Sequence, residues 1–212
     1  MDPRHDSEFP AGFFARSDET DDADFYAFDR FVTHIDDGAI DAVGALYDEL
    51  GLTGADSGPV LDICSSWISH FPTKPERLVV TGMNANELAA NEMADEWVVK
   101  DLNIDPALPF DDGSFAGVTC AVSVDYLTQP LDVFREVERV LQPGGVFVCS
   151  FSNRCFPTKA IRGWLANDEP TRVAIVGRYF QLTDGFGEPT MQHRNPEART
   201  DPLFAVWATT VG

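Results

Sequence analysis

Residues 131–151, LDVFREVERVLQPGGVFVCSF, decide the fold. Over 131–141 the apolar residues recur on one face of a helix. Pro143-Gly144-Gly145 then stops that helix. The apolar run that follows, over 146–151, has the length and composition of a strand buried on both faces of a parallel sheet. The stretch therefore predicts a helix and the strand to which it leads.

Four earlier apolar runs are bounded by turn residues in the same way. They predict strands over 60–64, 77–81, 97–100 and 114–122. Helices are predicted over 86–94 and 161–182. Strands that alternate with helices at this rhythm imply crossover connections and a parallel sheet.

The C-terminal residues predict how the sheet closes. Segments 187–193 and 203–209 form a final pair of strands, and the second alternates apolar and polar residues as an exposed edge hairpin does. We therefore expect an α/β fold with a Rossmann-like, doubly wound, mostly parallel seven-stranded sheet and an antiparallel C-terminal edge strand.

The N-terminal quarter predicts helices ahead of the first strand. Apolar residues recur at spacings of three to five over 24–50, with a break near Asp36-Asp37-Gly38. Residues 1–20 show no periodicity and predict an extended or mobile lead-in. The expected organisation is one domain over 1–212, comprising a lead-in (1–20), N-terminal lid helices (21–57) and the core (58–212).

Charge and composition exclude several kinds of partner. The formal net charge is -20, which would repel nucleic-acid phosphates and anionic lipids. No apolar run is long enough to span a membrane, and the acidic N-terminus lacks a secretory signal, so a cytoplasmic protein is predicted. We expect a small-molecule partner and either a monomer or a homodimer.

The acidic balance also suggests a habitat. Asp outnumbers Glu and Arg outnumbers Lys, as expected of a halophilic protein whose self-repulsion is screened by salt. Stability that does not rise with salt would contradict this hypothesis. The four cysteines show no CxxC and no zinc-ligand spacing, so no metal site is predicted.

Three motifs occur in a recognisable order: Val60-Leu61-Asp62, LPFDDGSF at 108–115 and ERVLQPGG at 138–145. Together they resemble the class I S-adenosylmethionine-dependent methyltransferases of the type 11-like group. The resemblance covers about residues 59–151. Segments 25–36 and 150–154 are similar to an uncharacterised bacterial and plant branch of that family.

The resemblance implies S-adenosylmethionine as cofactor. In the family, the strand-1 Asp and a glycine turn hold the amino-acid portion of the cofactor, an acid ending strand 2 binds the ribose, and an acid after strand 3 meets the adenine. The cofactor residues implied here are Asp62, Cys64, Ser65, Ser66, Asn84, Asp101, Leu102 and Ser123.

This sequence departs from the family pattern in two places. The glycine turn contains none of its expected glycines at Cys64-Ser65-Ser66, so Cβ atoms would crowd a ligand unless the turn opens or φ stays negative. The hydroxyls of Ser65 and Ser66 are potential donors to the cofactor carboxylate. Asn84 replaces the strand-2 acid and retains the ability to bind one ribose hydroxyl.

Catalytic candidates follow strand 4. Ligands of open α/β sheets bind beyond the carboxyl ends of the strands, which places 123–126 and 152–154 near the methyl group. Asp125 is either a general base or the cap of the next helix. Tyr126 either lines the pocket or packs in the core.

Tyr26, Arg30 and His34 are spaced four residues apart, so they would share one face of a lid helix. His34 is a third catalytic candidate, and Tyr26 and Arg30 are candidates for binding the substrate. An exposed polar face is the alternative interpretation.

Three more residues are candidates for substrate binding. His70 either contacts the substrate or ends a short helix. Asn153 and Arg154 either clamp a carboxylate or phosphate or remain solvated.

The function expected is methyl transfer from S-adenosylmethionine to a small molecule. The alternative is a non-catalytic methyltransferase-like domain used for binding or regulation. A cleft above Cys64–Ser66 would favour the enzyme, whereas Trp67 or His70 filling that cleft would favour the binding domain. A nicotinamide dehydrogenase is disfavoured because GxGxxG is absent.

Overall fold

The computed structural model describes residues 2–211, apart from the side chain of Asp6. Its centre is a sheet of seven strands in the order β3-β2-β1-β4-β5-β7-β6. The strands are β1 (Pro59–Asp62), β2 (Arg77–Gly82), β3 (Glu96–Val99), β4 (Phe115–Ala121), β5 (Leu141–Phe151), β6 (Thr190–His193) and β7 (Phe204–Thr209).

The predicted fold class is confirmed. Strands β1 to β5 pair in parallel, and β7 runs antiparallel to both of its neighbours, β5 and β6. The antiparallel strand lies one position inside the edge, which β6 forms. Strand β5 begins earlier than predicted because Leu141 already pairs with Phe115, before a register shift at the glycine turn.

Seven helices and one 3-10 turn are described within residues 2–211. They are α1 (Arg4–Glu8), α2 (Asp22–Phe25), α3 (Asp37–Glu49), α4 (Ala85–Ala89), α5 (Pro130–Val140), α6 (Arg162–Leu165), α7 (Glu169–Gln181) and the 3-10 turn Val124–Tyr126. No helix in this part of the chain has both the length and the apolar character needed to cross a bilayer.

Hydrophobic residues pack on both faces of the sheet. Successive residues of a strand point to opposite faces, so Leu61 and Val79 join the cluster beneath α5 and α7, whereas Val60 and Val80 join the one beneath α3. Burial on both faces explains why the strand runs are almost wholly apolar.

The N-terminal lead-in differs from the expectation of an extended or mobile segment. Arg4–Glu8 forms α1, and Phe9 is 9% exposed within the core cluster. The Phe9 ring lies 5.6 Å from that of Tyr179, and the backbone N–H of Leu131 donates to His5. Aromatic side chains therefore anchor a segment whose sequence shows no periodicity.

The predicted helix over 24–36 is wrong beyond Phe25. Phe28 is 76% exposed, so a helical apolar face would have no surface to pack against. The backbone carbonyls of this segment accept hydrogen bonds from side chains instead. Arg30 donates to the carbonyls of Phe25 and Phe28, and Asn84 donates to that of Tyr26. The predicted break near residue 37 is correct, since α3 begins there.

Candidate functional site

A cavity of about 360 Å³ lies beyond the carboxyl ends of the first five strands. Its floor is formed by the segments that follow those strands, and its cover is formed by side chains between Asp22 and His34. Small-molecule sites range from about 300 to 1,000 Å³, so the cavity has the size of a ligand pocket.

Most of the predicted site residues lie together in this lining. They are Tyr26, Arg30, His34, Cys64, Ser65, Ser66, Asn84, Asp101, Leu102, Ser123, Tyr126 and Arg154. Four others do not line it: Asp62, His70, Asp125 and Asn153.

The turn after β1 keeps the backbone shape of a glycine turn without glycine. Cys64 has φ of 54°, a left-handed conformation that favours glycine because other residues carry a Cβ. The cavity nevertheless stays open above Cys64. Val122, after β4, also lines the cavity and has φ of 46°. Two of the three non-glycine residues with positive φ in the described part of the chain therefore line the cavity, and the third, His70, lies outside the lining. Backbone strain of this kind is often found at functional sites.

Asp62, the last residue of β1, holds this turn by a hydrogen bond from Ser65. It is 2% exposed, and its carboxylate accepts hydrogen bonds from the hydroxyls of Ser65 and Thr119, each 2.6 Å long. Burial raises the pKa of Asp62 to about 6, against the opposing effect of these hydrogen bonds. Asp62 therefore contacts the turn and is not part of the cavity lining.

The serine hydroxyls already have acceptors within the protein. Ser65 donates to Asp62, and Ser66 donates to Glu87 across 2.5 Å. Either hydroxyl would have to change partner to donate to a cofactor carboxylate.

Asn84 caps α4. Its side-chain oxygen accepts the backbone N–H groups of Asn86 and Glu87, at 2.9 and 3.2 Å. Its amide nitrogen donates to the carbonyl of Tyr26 at 3.0 Å and to Asp29 at 2.9 Å. The side chain ties the cover segment to the carboxyl end of β2.

Asp101 stands beyond β3. One carboxylate oxygen accepts the backbone N–H groups of Asn103 and Ile104, at 2.8 and 3.2 Å. The neighbouring Leu102 is 5% exposed and adds an apolar surface to the lining. This combination suits a planar, partly polar ring.

Tyr26, Arg30 and His34 meet at the cavity although they share no helix. Arg30 lies 4.6 Å above the centre of the Phe25 ring. His34 packs edge-on against Phe156 at 5.2 Å. Burial lowers the pKa of His34 and raises that of Tyr26, so both side chains favour their neutral forms.

Tyr126 is part of the cavity lining, whereas Asp125 is not. The Tyr126 hydroxyl accepts the backbone N–H of Phe156 at 2.8 Å. Asp125 is 2% exposed, burial raises its pKa to about 7, and its Oδ2 has no hydrogen-bond partner within residues 2–211. The helix-cap interpretation is wrong, because Gln129 occupies the N-cap of α5.

The remaining candidates lie away from the cavity or are engaged elsewhere. The Trp67 indole donates to the carbonyl of Val32, and His70 is outside the lining, so neither side chain fills the cleft. Asn153 is exposed. Arg154 reaches the cavity but pairs with Asp201 at 2.9 Å, which argues against the predicted clamp formed by Asn153 and Arg154.

Sequence reasoning missed several lining residues: Asp22, Glu87, Lys100, Asn103, Cys155 and Phe156. Asp22 is held by Arg16, Asn103 and the fully buried Lys159. No local pattern identifies that network, which joins distant segments. Glu87 had a usable signal, since it is an acid in the first turn of the helix after β2.

Comparison with known proteins identifies the same central region. Residues 65–149 match the family described as "Methyltransferase domain". No curated protein matches the chain.

Solved structures share the fold at low identity. An S-adenosylmethionine-dependent methyltransferase from Aquifex aeolicus is 15% identical, with 83% of this chain and 99% of that chain covered and a TM-score of 0.56. One from Mesorhizobium loti is 16% identical, with 80% and 99% covered and a TM-score of 0.53. Geranyl diphosphate C-methyltransferase from Streptomyces coelicolor A3(2), solved with Mg²⁺, geranyl diphosphate and S-adenosylhomocysteine, is 15% identical, with 81% and 77% covered and a TM-score of 0.54.

Proposed function

We propose that the chain is a class I S-adenosylmethionine-dependent methyltransferase, which transfers a methyl group from this cofactor to a small-molecule acceptor. The observation that carries the proposal is the open cavity above Cys64–Ser66. A domain that had abandoned its ligand would be expected to fill this space, and the bulky Trp67 lies outside it.

The lining fits the cofactor. The turn at Cys64 retains the conformation that brings backbone close to a ligand, and Asp101 with Leu102 offers an acceptor and an apolar surface for an adenine. The bound cofactor would supply an electrophilic methyl group on a sulfonium. The protein's own task is then to orient the acceptor, exclude water and receive a proton where the acceptor loses one.

The aromatic end of the cavity suits the acceptor. Tyr26, Tyr126 and Phe156 surround it with rings, and His34 contributes an imidazole. His34 is neutral at pH 7 because burial lowers its pKa, so it can accept a proton from an acceptor hydroxyl or amine. Tyr126 stays protonated, because burial raises its pKa, and its hydroxyl can donate to the same acceptor.

Asp125 is not placed in this scheme as the base. It is outside the cavity lining, whereas His34 is part of that lining. We assign the base role to His34 on this ground.

A non-catalytic binding domain is the second candidate. The observation that favours it is the engagement of both serine hydroxyls by protein carboxylates. Cofactor binding separates the two functions, since a domain devoted to protein contacts does not need the cofactor.

Calorimetric titration in high-salt buffer with S-adenosylmethionine and S-adenosylhomocysteine tests the proposal. We expect micromolar binding that Asp101→Ala weakens about tenfold or more, since a lost hydrogen bond to a charged group contributes about 1.5–3 kcal/mol. Asp111→Ala, at an exposed position outside the cavity, is the matched control. A folded wild-type protein that binds neither ligand would support the non-catalytic domain.

The assignment of His34 needs a separate test. With an acceptor found by screening for S-adenosylhomocysteine release, His34→Ala should lower turnover and leave calorimetric binding of the cofactor unchanged. The wild-type rate should fall as the pH drops through the pKa of His34, which burial places below the ordinary imidazole value of 6.5. His193→Ala, which alters an exposed imidazole on β6, should change neither quantity. Unchanged turnover in His34→Ala would retire the assignment.

A further inference from the structure

Glu87 is a buried acid of the cavity to which no role has been given. It lies in the first turn of α4 and is only 7% exposed. One carboxylate oxygen accepts the hydroxyl of Ser66 at 2.5 Å, and the other accepts the backbone N–H of Arg30 at 2.7 Å. These two contacts fix the side chain against the lining.

The position at which the family has its ribose acid cannot serve here as it stands. The Asn84 carboxamide has two N–H donors and two acceptor lone pairs. All four are used, by Asn86, Glu87, Tyr26 and Asp29. A ribose hydroxyl would have to displace the helix cap or the tether to the cover segment.

Glu87 has the capacity that Asn84 lacks. A carboxylate offers about four acceptor sites, and the structure uses one on each oxygen of Glu87. Asp22, another buried acid of the lining, is saturated by Arg16, Asn103 and Lys159. Among the acids lining the cavity, Glu87 therefore stands beside the end of β2 with acceptor sites to spare.

The two departures from the family pattern, the serine at position 66 and the asparagine at position 84, are connected through Glu87. A serine in place of glycine at position 66 supplies the hydroxyl that holds Glu87 toward the turn. Glycine could not do this. The loss of the glycine and the loss of the strand-2 acid thus become one rearrangement.

We propose that Glu87 accepts the hydrogen bonds of the cofactor's ribose hydroxyls in place of an acid at position 84, and that Ser66 positions it. This assignment rests on the proposed function, because it requires that the cofactor binds. It assigns the ribose contact to the first turn of α4, three residues beyond the end-of-strand position.

Calorimetry with two probes tests the assignment. S-Adenosylhomocysteine carries the amino-acid portion, whereas 5′-methylthioadenosine keeps the ribose and adenine and lacks that portion. Glu87→Gln keeps an oxygen for the Arg30 N–H and an amide for the Ser66 hydroxyl, so the fold is expected to persist, which circular dichroism checks. Affinity for both probes should fall about ten- to a hundredfold.

Further variants separate position from charge. Glu87→Asp keeps the charge and withdraws the carboxylate, and we expect a similar loss. Ser66→Ala should weaken binding of both probes in the wild-type background and have little further effect in Glu87→Gln, because it acts through the same carboxylate. Glu92→Gln, at an exposed acid just beyond α4, is the matched control and should bind as wild type does.

Each contrary result has a distinct meaning. Wild-type affinity of Glu87→Gln for both probes would overturn the assignment and leave the proposed function standing. Loss of binding of S-adenosylhomocysteine alone would also overturn it, because the carboxylate would then contact the amino-acid portion. A wild-type protein that binds neither probe would overturn the proposed function and this assignment with it.

Discussion

The turn that follows β1 and the turn early in β5 each contain a residue with positive φ, Cys64 at 54° and Gly144 at 78°. At Gly144 the residue suits the conformation, and a Cβ built there would meet nothing within 4 Å. At Cys64 a side chain occupies the same backbone region beside the cavity. The backbone of the turn early in β5, here called the scaffold turn, is therefore unstrained. The backbone of the turn after β1, at the cavity, is strained.

The ionisable groups near the two turns differ as well. Asp62 and Asp125, near the carboxyl ends of β1 and β4, have pKa values raised to about 6 and about 7 by burial. Near the glycine turn of β5, Arg139 is paired with Glu136 and Asp112. Burial therefore opposes the ionisation of two carboxyls near the cavity edge, whereas the charged groups near the glycine turn are paired and partly exposed. Titratable groups with raised pKa values are common near ligand sites.

The largest effect that would sharpen this contrast is expected from Asp125→Asn. The Asp125 carboxyl ionises near its ordinary pKa of 3.8 in the unfolded chain and near 7 in the folded protein. Between these values the folded state holds a proton that the unfolded state releases, so stability falls as the pH rises. Because Asn does not ionise, the variant should gain about 2–3 kcal/mol over wild type between pH 5 and pH 8, measured by urea unfolding.

Asp111→Asn is the control for that measurement, since it alters an exposed acid. It should shift stability by a similar small amount at both pH values. If Asp125→Asn also shifted stability equally at pH 5 and pH 8, the cavity edge would not be carrying the cost of a buried charge.

The next effect concerns the scaffold turn. A Cβ at Gly145 would lie 2.9 Å from the carbonyl oxygen of Gln142 and 3.1 Å from that of Ala116. Because both obstacles are backbone, Gly145→Ala should lower the free energy of unfolding by about 1–3 kcal/mol. Affinity for S-adenosylhomocysteine should not change, because neither Gly145 nor its neighbours line the cavity. Weakened binding by the folded variant would mean that the two edges are coupled.

The sequence alone predicted the strands of the sheet better than the segments and side chains that surround the cavity. Most strand runs were predicted to within a few residues because burial on both faces leaves a continuous apolar signature. The rule that ligands lie beyond the carboxyl ends of the strands led to Tyr126, and the family resemblance led to Asp101; both residues line the cavity. The helix over 24–36 failed because side chains bind its carbonyls, Arg30 from within the segment and Asn84 from a distant one. Glu87 was missed although it is an acid in the first turn of the helix after β2, because its contact with Ser66, twenty-one residues away, leaves no local pattern.

The smallest effect tests the strain itself. Cys64→Gly and Cys64→Ala both remove the thiol, but only Gly adopts positive φ without a Cβ penalty, which is about 1–2 kcal/mol for other residues. Gly loses more backbone entropy on folding, by about 0.5–1 kcal/mol relative to Ala. The Gly variant should therefore be the more stable of the two by about 0.5–1 kcal/mol in urea unfolding, whereas at Val43, inside α3, the same pair should rank in the opposite order. If Ala proved as stable as Gly at position 64, the turn would have moved out of the left-handed region, and the difference between the two edges would lie in buried charge alone.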